Sequence, residues 1–238
     1  LYLGMNQFFP DVYIKGYLGF IPENYYVGVF PTQYEKQFNL LPDELLVVGD
    51  AYINNIKQYC PELKVNSAPA FRFAHVFEFE RNIDNEKNII LLALPMKVEE
   101  IENIFNVISK LKLDKKYRLI IKAHPITNIK AVISSLKLKN NTSYEISELP
   151  LNKIFQSTRL LITTASSVAL EAVSCGIYVA IIGNRSGPTI NRLSGYIDKK
   201  YWSICYSTED IMSILKKENT KHIEIKKYFQ PINRARVK

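Results

Sequence analysis

With 238 residues, 47% of them hydrophobic, the chain can bury a substantial core, as one large domain or two small ones. No apolar run reaches the roughly 18 residues that span a bilayer, no signal-peptide pattern is present, and Cys60, Cys175 and Cys205 show no metal or redox spacing, which argues against zinc and suits reduced thiols in the cytoplasm. The net charge of +8 is concentrated: residues 216–238 hold eight Lys or Arg against Glu218 and Glu224, so the other 215 residues carry +2, ordinary for a globular surface.

The chain starts at Leu1 and stops inside a basic run, so it reads as a piece of a longer protein. Residues 1–60 contain short aromatic runs closed by prolines (16–21 and 25–30), a polar segment over 32–41, a strand-like 44–48 and an amphipathic 51–59. They read as the last strand–helix units of a partial N-terminal α/β domain, with Asp11 in a turn and Asp50 at a helix N-cap, either of them a conceivable acid. Residues 61–87 lack a period, contain Pro61 and Pro69, turn charged after Glu78, and read as a linker. Within it, AFRFAHVF (70–77) alternates apolar residues with Arg72 and His75, and makes Arg72 a candidate for contacting an anionic ligand.

From Asn88 the pattern is regular. Strands are expected at 89–94, 117–123, 144–146, 160–163, 178–182 and 202–206. Helices are expected at 97–111, 128–138, 151–156 and after Ser207, where Asp210 gives a capping-box spacing. Glu99, Glu100 and Glu102 are expected on a solvated face of the first of these helices, where acids favour the helix dipole. Alternating strands and helices, with strands apolar on both faces, predict a doubly wound parallel sheet over residues 88–215. Ligands bind such sheets outside the carboxyl ends of the strands, at a topological switch point. The remaining residues, 216–238, form a basic tail expected to be helical and to lie on an anionic membrane leaflet or in solvent; no nucleic-acid module stands beside it, so no specific nucleic acid is expected.

Two stretches place polar chemistry at strand ends. LLITTASSVALEAVSCG (160–176) is a strand, a small polar turn and a helix closed by Gly176, a layout that presents Ser166 and Ser167 to an anion. Glu171 is out of register for a capping box and so is available to accept from ribose hydroxyls. LIIKAHP (119–125) ends in Lys122 and His124, and Pro125 keeps His124 extended at the strand exit. A lysine point charge beside an imidazole suits a phosphate and the protonation of a leaving oxygen. No dinucleotide fingerprint, Walker loop or Ser-His-Asp order is convincing.

Lys122-Ala-His-Pro125, followed about forty residues on by Thr164-Ala-Ser-Ser167, Leu170-Glu-Ala172 and Gly176, resembles the C-terminal half of bacterial GT-B glycosyltransferases of surface polysaccharide synthesis. The likeness is to the HP-motif and serine-pair type, as in sialyltransferases, polysialyltransferases and Kdo transferases, with teichoic-acid CDP-glycerol transferases carrying a similar pair. It covers residues 88–215 well and 1–60 loosely, as the end of an acceptor-side domain. The resemblance implies a GT-B-like α/β fold, and metal-independent transfer of a sugar from a nucleotide-sugar donor, CMP-linked, to a surface glycan or glycolipid. No cofactor and no metal are implied. His124 would contact the donor phosphate and assist the departing nucleotide, Ser166 and Ser167 would bind phosphate, Glu171 would hold the ribose, and Lys122 matches a lysine before the HP pair in some sialyltransferases. The general base has no clear match; it is Asp11, an unmarked residue, or one lost with a missing N-terminus. The implied location is the cytoplasm, peripheral to the inner membrane face through the basic tail. Two alternatives stay open: a CDP-glycerol-type glycerophosphotransferase, and a non-catalytic nucleotide-binding or scaffold domain, since fold alone does not give function.

Overall fold

A computed structural model describes residues 13, 15–18, 32–79, 86–129, 143–216 and 223–232. The chain divides into two compact units, Leu1–Glu78 with Glu224–Lys238, and Phe79–Ile223.

The first unit contains a three-stranded parallel sheet in the order β1 (Lys15–Leu18), β2 (Glu44–Val47), β3 (Lys64–Ser67). Helix α1 (Gln33–Gln37) lies between β1 and β2, started by a capping box between Thr32 and Glu35. After β2, Gly49 leads into a 3₁₀ turn, Asp50–Tyr52, and α2 (Ile53–Tyr59), which buries Ile56. Asp50 caps no helix; its carboxylate accepts from Gln230 Nε2 at 2.9 Å. Lys15, Glu44 and Lys64 are aligned across the three strands. Glu44 is only 4% exposed, accepts from Asn66 Nδ2 (2.8 Å) and Tyr13 OH (3.2 Å), and pairs with Lys15 (3.2 Å) and Lys64 (3.4 Å). The Asn66 bond first, then its lysines, hold this carboxyl down at about 2 against the opposing effect of burial.

The expected linker over 61–87 is not one through its described part. Residues 64–67 are β3, and Phe71–Phe73 and α3 (Ala74–Phe77) bury Phe73 and Val76. These pieces are one turn or four residues long, too short to display a period, and Pro69 borders a strand instead of breaking one.

The second unit is built on a six-stranded sheet. Its elements follow the expected sequence: β4 (Ile89–Ala93), α4 (Val98–Ile108), β5 (Arg118–Lys122), β6 (Glu145–Ile146), α5 (Leu151–Phe155), β7 (Thr158–Thr163), α6 (Val168–Ser174), β8 (Tyr178–Ile182), β9 (Trp202–Cys205) and α7 (Thr208–Leu215). The helix expected over 128–138 falls mostly outside the described residues. The strand order is β6-β5-β4-β7-β8-β9 and every pair is parallel. Numbered within the sheet this is 3-2-1-4-5-6, the dinucleotide-binding order, with its switch point between β4 and β7. β4, β7 and β8 are buried along their whole length, which is why β4 and β8 read as apolar runs, while β7 starts two residues before the expected 160–163 with the buried Thr158 and Arg159. On one face α4 packs Ile101, Ile104, Phe105 and Ile108, and α7 packs Ile211 and Ile214, against Leu92, Ile162 and Ala180. Ser207 and Asp210 cap α7 reciprocally, as their spacing predicts. Helix α6 ends at Gly176, whose φ of 71° and whose bonds Gly176 N to Val173 O and Ile177 N to Ala172 O make a Schellman cap.

The chain then returns to the first unit as α8 (Ile225–Tyr228). Its part of the basic tail is not a free solvated segment: Tyr228 and Phe229 are buried, Phe229 stacks on Phe73 with ring centroids 4.5 Å apart, and Gln230 bonds to Val48 and Ala70. Charge counting alone hides these aromatics among the lysines around them.

Candidate functional site

The carboxyl edge of the second sheet gathers most of the polar residues expected to act. At the end of β5, Lys122 Nζ donates to the Glu148 carbonyl at 3.0 Å, which ties the strand end to the loop after β6 and leaves two further ammonium hydrogens for a ligand. His124 follows in a turn closed by Thr127 N to His124 O (2.9 Å). Its Nδ1 accepts from Ile126 N at 3.4 Å, so the neutral ring carries its proton on Nε2 and presents a donor.

At the end of β7 the chain turns sharply, with Ser166 N donating to Thr164 O at 2.8 Å. Ser166 Oγ accepts from Val168 N (3.4 Å), while Ser167, helical in conformation, makes no side-chain cap and keeps its hydroxyl for other partners. Between these strand ends lies β4. Neighbouring strands are about 5 Å apart, so β5 and β7 are separated by roughly 10 Å, one strand on each side of the β4 end.

The switch point itself is stitched by two hydroxyls. Thr163 Oγ1 donates to Ala93 O (2.9 Å), and Thr164 Oγ1 donates to Glu100 Oε2 (2.7 Å) in the first turn of α4. Beside them opens a cleft of about 250 Å³. Lys97, Glu99, Glu100 and Asn103 line it from the β4–α4 side, Thr164 and Ala165 from the β7 end, and Ile182, Asn184 and the 188–190 segment from beyond β8. Asn184 N donates to Thr189 Oγ1 (3.0 Å), and Asn184 Oδ1 accepts from Ser186 N (3.0 Å), so that loop is folded on itself.

None of the six expected site residues lines this cleft: Lys122, His124, Ser166 and Ser167 stand at the strand ends beside it, and Glu171 and Arg72 stand apart from both. Glu171 is 8% exposed on a helix that is buried on every side, and it does not line the cleft. Its charge is felt by Cys175, whose thiol is pushed up to about 12 by burial first and by Glu171 second. Arg72 is exposed in the first unit, its guanidinium over the Phe73 ring at 5.8 Å, and His75 is half-buried there. Asp11 lies outside the described residues. Among the described residues no group of three or more His, Cys, Asp or Glu gathers as metal ligands, and no helix is long and apolar enough to cross a membrane.

No protein-family model and no curated protein matches the sequence. Solved structures match at low identity. The UDP-GlcNAc 2-epimerase of Methanocaldococcus jannaschii, in complex with UDP-GlcNAc and UDP, is 16% identical with a TM-score of 0.51, over 79% of this chain and 57% of its own. The fold is the Rossmann-like fold of GT-B proteins. A structure of the wall teichoic acid polymerase TagF (14% identity, TM-score 0.47, 83% of this chain and 56% of its own) and one of TarM (13%, 0.46, 84% and 42%) lie further off in structure. The chain spans about half the length of these structures.

In this GT-B-like sheet, sequence reasoning missed the wall contributed by α4. Glu102 is exposed as expected, but Glu99 and Glu100 border the cleft, and Glu100 is held by Thr164. The signal was available in the topology: a 3-2-1-4-5-6 order puts the turn after β4 beside the turn after β7, whatever their separation in sequence.

Proposed function

We propose that this chain is the donor-binding part of a glycosyltransferase that moves a sugar from a nucleotide-activated donor to a glycan or glycolipid acceptor. One observation carries the reading: a cation and an imidazole donor at the end of β5, and a serine turn at the end of β7, flank the switch point of a Rossmann-ordered sheet. Both are groups that stabilise an anion. Chemically, transfer breaks the bond between the sugar's anomeric carbon and the donor phosphate oxygen, and negative charge collects on that oxygen as it leaves. His124 Nε2–H and the Lys122 ammonium would meet that charge, and the turn at 164–167 would hold the phosphate from the other side. Donors fixed in advance where charge develops usually contribute more to such catalysis than any other single effect. Ribose is assigned to Glu171 only through the sequence resemblance; its burial would require α6 to present that carboxylate at an edge of the site.

The CMP-linked donor implied by the sequence is the first to test. Calorimetric titration with CMP, CDP, UDP and GDP should show one nucleotide bound, weakened at least tenfold by His124→Ala. Equal indifference to all four in both proteins refutes the reading. With a nucleotide identified, product analysis separates sugar transfer from glycerophosphate transfer. On the same reading the protein meets an anionic membrane surface through its C-terminal basic residues. Because Tyr228 and Phe229 are occupied in the first unit, that contact would be made by exposed charges such as Lys226 and Lys227 and not by an apolar helix face.

A further inference from the structure

The cleft at the switch point has a chemistry different from that of the strand ends beside it. Lys122, His124 and the serine turn suit phosphate. The cleft brings Glu99 and Glu100 against the single cation Lys97, a net charge of −1, with the amides of Asn103 and Asn184 and the hydroxyls of Thr164 and Thr189. Ala165, Ile182, Pro188 and Ile190 add apolar lining. An anion is disfavoured there, because its charge would face two carboxylates across a partly desolvated space. Among the described residues no third carboxylate, histidine or cysteine joins Glu99 and Glu100 there to form a dedicated metal-ligand group. Uncharged hydroxyl groups suit it: carboxylates and amide oxygens accept from them, and the apolar lining suits the C–H face of a ring.

Glu100 is placed for this work. Thr164 Oγ1 donates to its Oε2 at 2.7 Å, and Lys97 Nζ stands 3.9 Å from its Oε1, so both oxygens have a protein neighbour that orients the carboxylate and each keeps further acceptor capacity. The volume, about 250 Å³, is below the roughly 300–1,000 Å³ of sites that take a whole drug-sized ligand. A volume of that size suits one sugar ring. The cleft also adjoins the proposed phosphate site, since Thr164, which lines it, is bonded through its carbonyl to Ser166 N.

We propose that this cleft receives the transferred group of the donor and that this group is a neutral, polyhydroxylated one such as a hexose, read by Glu100 and Glu99, and not an acidic sugar. The inference rests on the nucleotide-donor reading and narrows it. An acidic sugar of the kind carried on CMP would bring its own carboxylate against Glu99 and Glu100, so the donor is expected to carry an uncharged group whichever nucleotide bears it.

The test uses the full chain with labelled isoleucine methyls, observed by NMR while N-acetylglucosamine, galactose or N-acetylneuraminic acid is added, with and without the nucleotides above. A neutral sugar should shift the Ile182 and Ile190 methyls at millimolar concentration, and N-acetylneuraminic acid should leave them in place. Glu100→Gln should weaken the neutral sugar about tenfold, as expected for loss of a charge-assisted hydrogen bond, and narrow the discrimination against the acid. Glu102→Gln, on the exposed face of the same helix, should change neither. Equal or larger shifts with the acidic sugar, no shift with any neutral sugar, or a Glu100→Gln protein that behaves as the original would overturn the proposal. Nucleotide binding is read separately at the His124 ring. Its failure with the sugar shifts intact would overturn the donor reading and support the cleft's assignment to a neutral carbohydrate.

Discussion

The Glu44 cluster makes a quantitative prediction about stability and pH. The carboxyl is 4% exposed, bonded to Asn66 and Tyr13 and flanked by Lys15 and Lys64, and it is held at about 2 instead of an ordinary 4.5. A depression of one pH unit corresponds to about 1.4 kcal/mol, so the whole of it corresponds to roughly 3 kcal/mol. The lysine ends are well hydrated, with 58% and 60% of their side chains exposed, and solvent screens their share; about 1–2 kcal/mol is the realistic figure. The sign follows from the depressed value: the stabilisation is fully present above about pH 4.5 and is lost as the pH falls towards 2. Glu44→Gln keeps the shape but sets an amide NH₂ against lysine donors and removes the charge. The variant should be less stable at pH 7 by about 1–2 kcal/mol, and the gap should close on acidification. Amide hydrogen exchange at Leu45–Val47 is the suitable assay, because it reports the opening of β2 itself and does not assume that two units unfold together. A difference between the two proteins that stays constant from pH 7 to pH 2.5 would contradict this account, since it would show that the carboxyl contributes packing and not charge.

Two further outcomes follow from the C-terminal segment. A Cβ at Gly49 would lie 2.2 Å from the Tyr228 carbonyl oxygen, a backbone atom that cannot swing away, so Gly49→Ala should displace α8 at a cost of about 1–3 kcal/mol and speed proteolysis after Lys226 or Lys227; unchanged cleavage would show that the segment is held elsewhere. Association with vesicles containing anionic lipid should be weak and abolished by salt, and replacing Lys226, Lys227, Arg234, Arg236 and Lys238 by alanine should remove it. Binding that survives those replacements would rule out the charge-only contact. Deleting residues 216–238 is a poorer experiment, because it also strips Tyr228 and Phe229 from the first unit's core.

The second unit was legible because its central strands, β4, β7 and β8, are buried on both faces. Ile89–Ala93, Leu160–Ile162 within β7 and Tyr178–Ile182 each read as an apolar run, and α4 repeats Ile101, Ile104, Phe105 and Ile108 at helical spacing. The first unit was legible only in part: β2 and α2 fall within the strand-like 44–48 and the amphipathic 51–59, whereas β1 and β3 alternate exposed and buried residues over only four positions. What local sequence does not show is the company of Glu44, because Asn66, Lys15 and Lys64 reach it from neighbouring strands. The docking of α8 was hidden for a related reason: Tyr228 and Phe229 reach partners about 150 residues or more away, such as Phe73, which a count of local charge does not register.

The candidate site divides along the same line. Lys122, His124, Ser166 and Ser167 stood out because residue type and chain direction alone place them at strand exits. Glu100 did not, because within its own helix an acid in the first turn is fully explained by the dipole. What makes it a site residue is Thr164, 64 positions later, and that pairing is dictated by strand order. Once β4 and β7 are adjacent, the first turn of α4 must face the turn after β7. The most informative acid near a switch point is therefore one that local rules already account for, and Glu100 is to be tested ahead of Glu171, whose register looked exceptional but whose side chain the helix keeps buried.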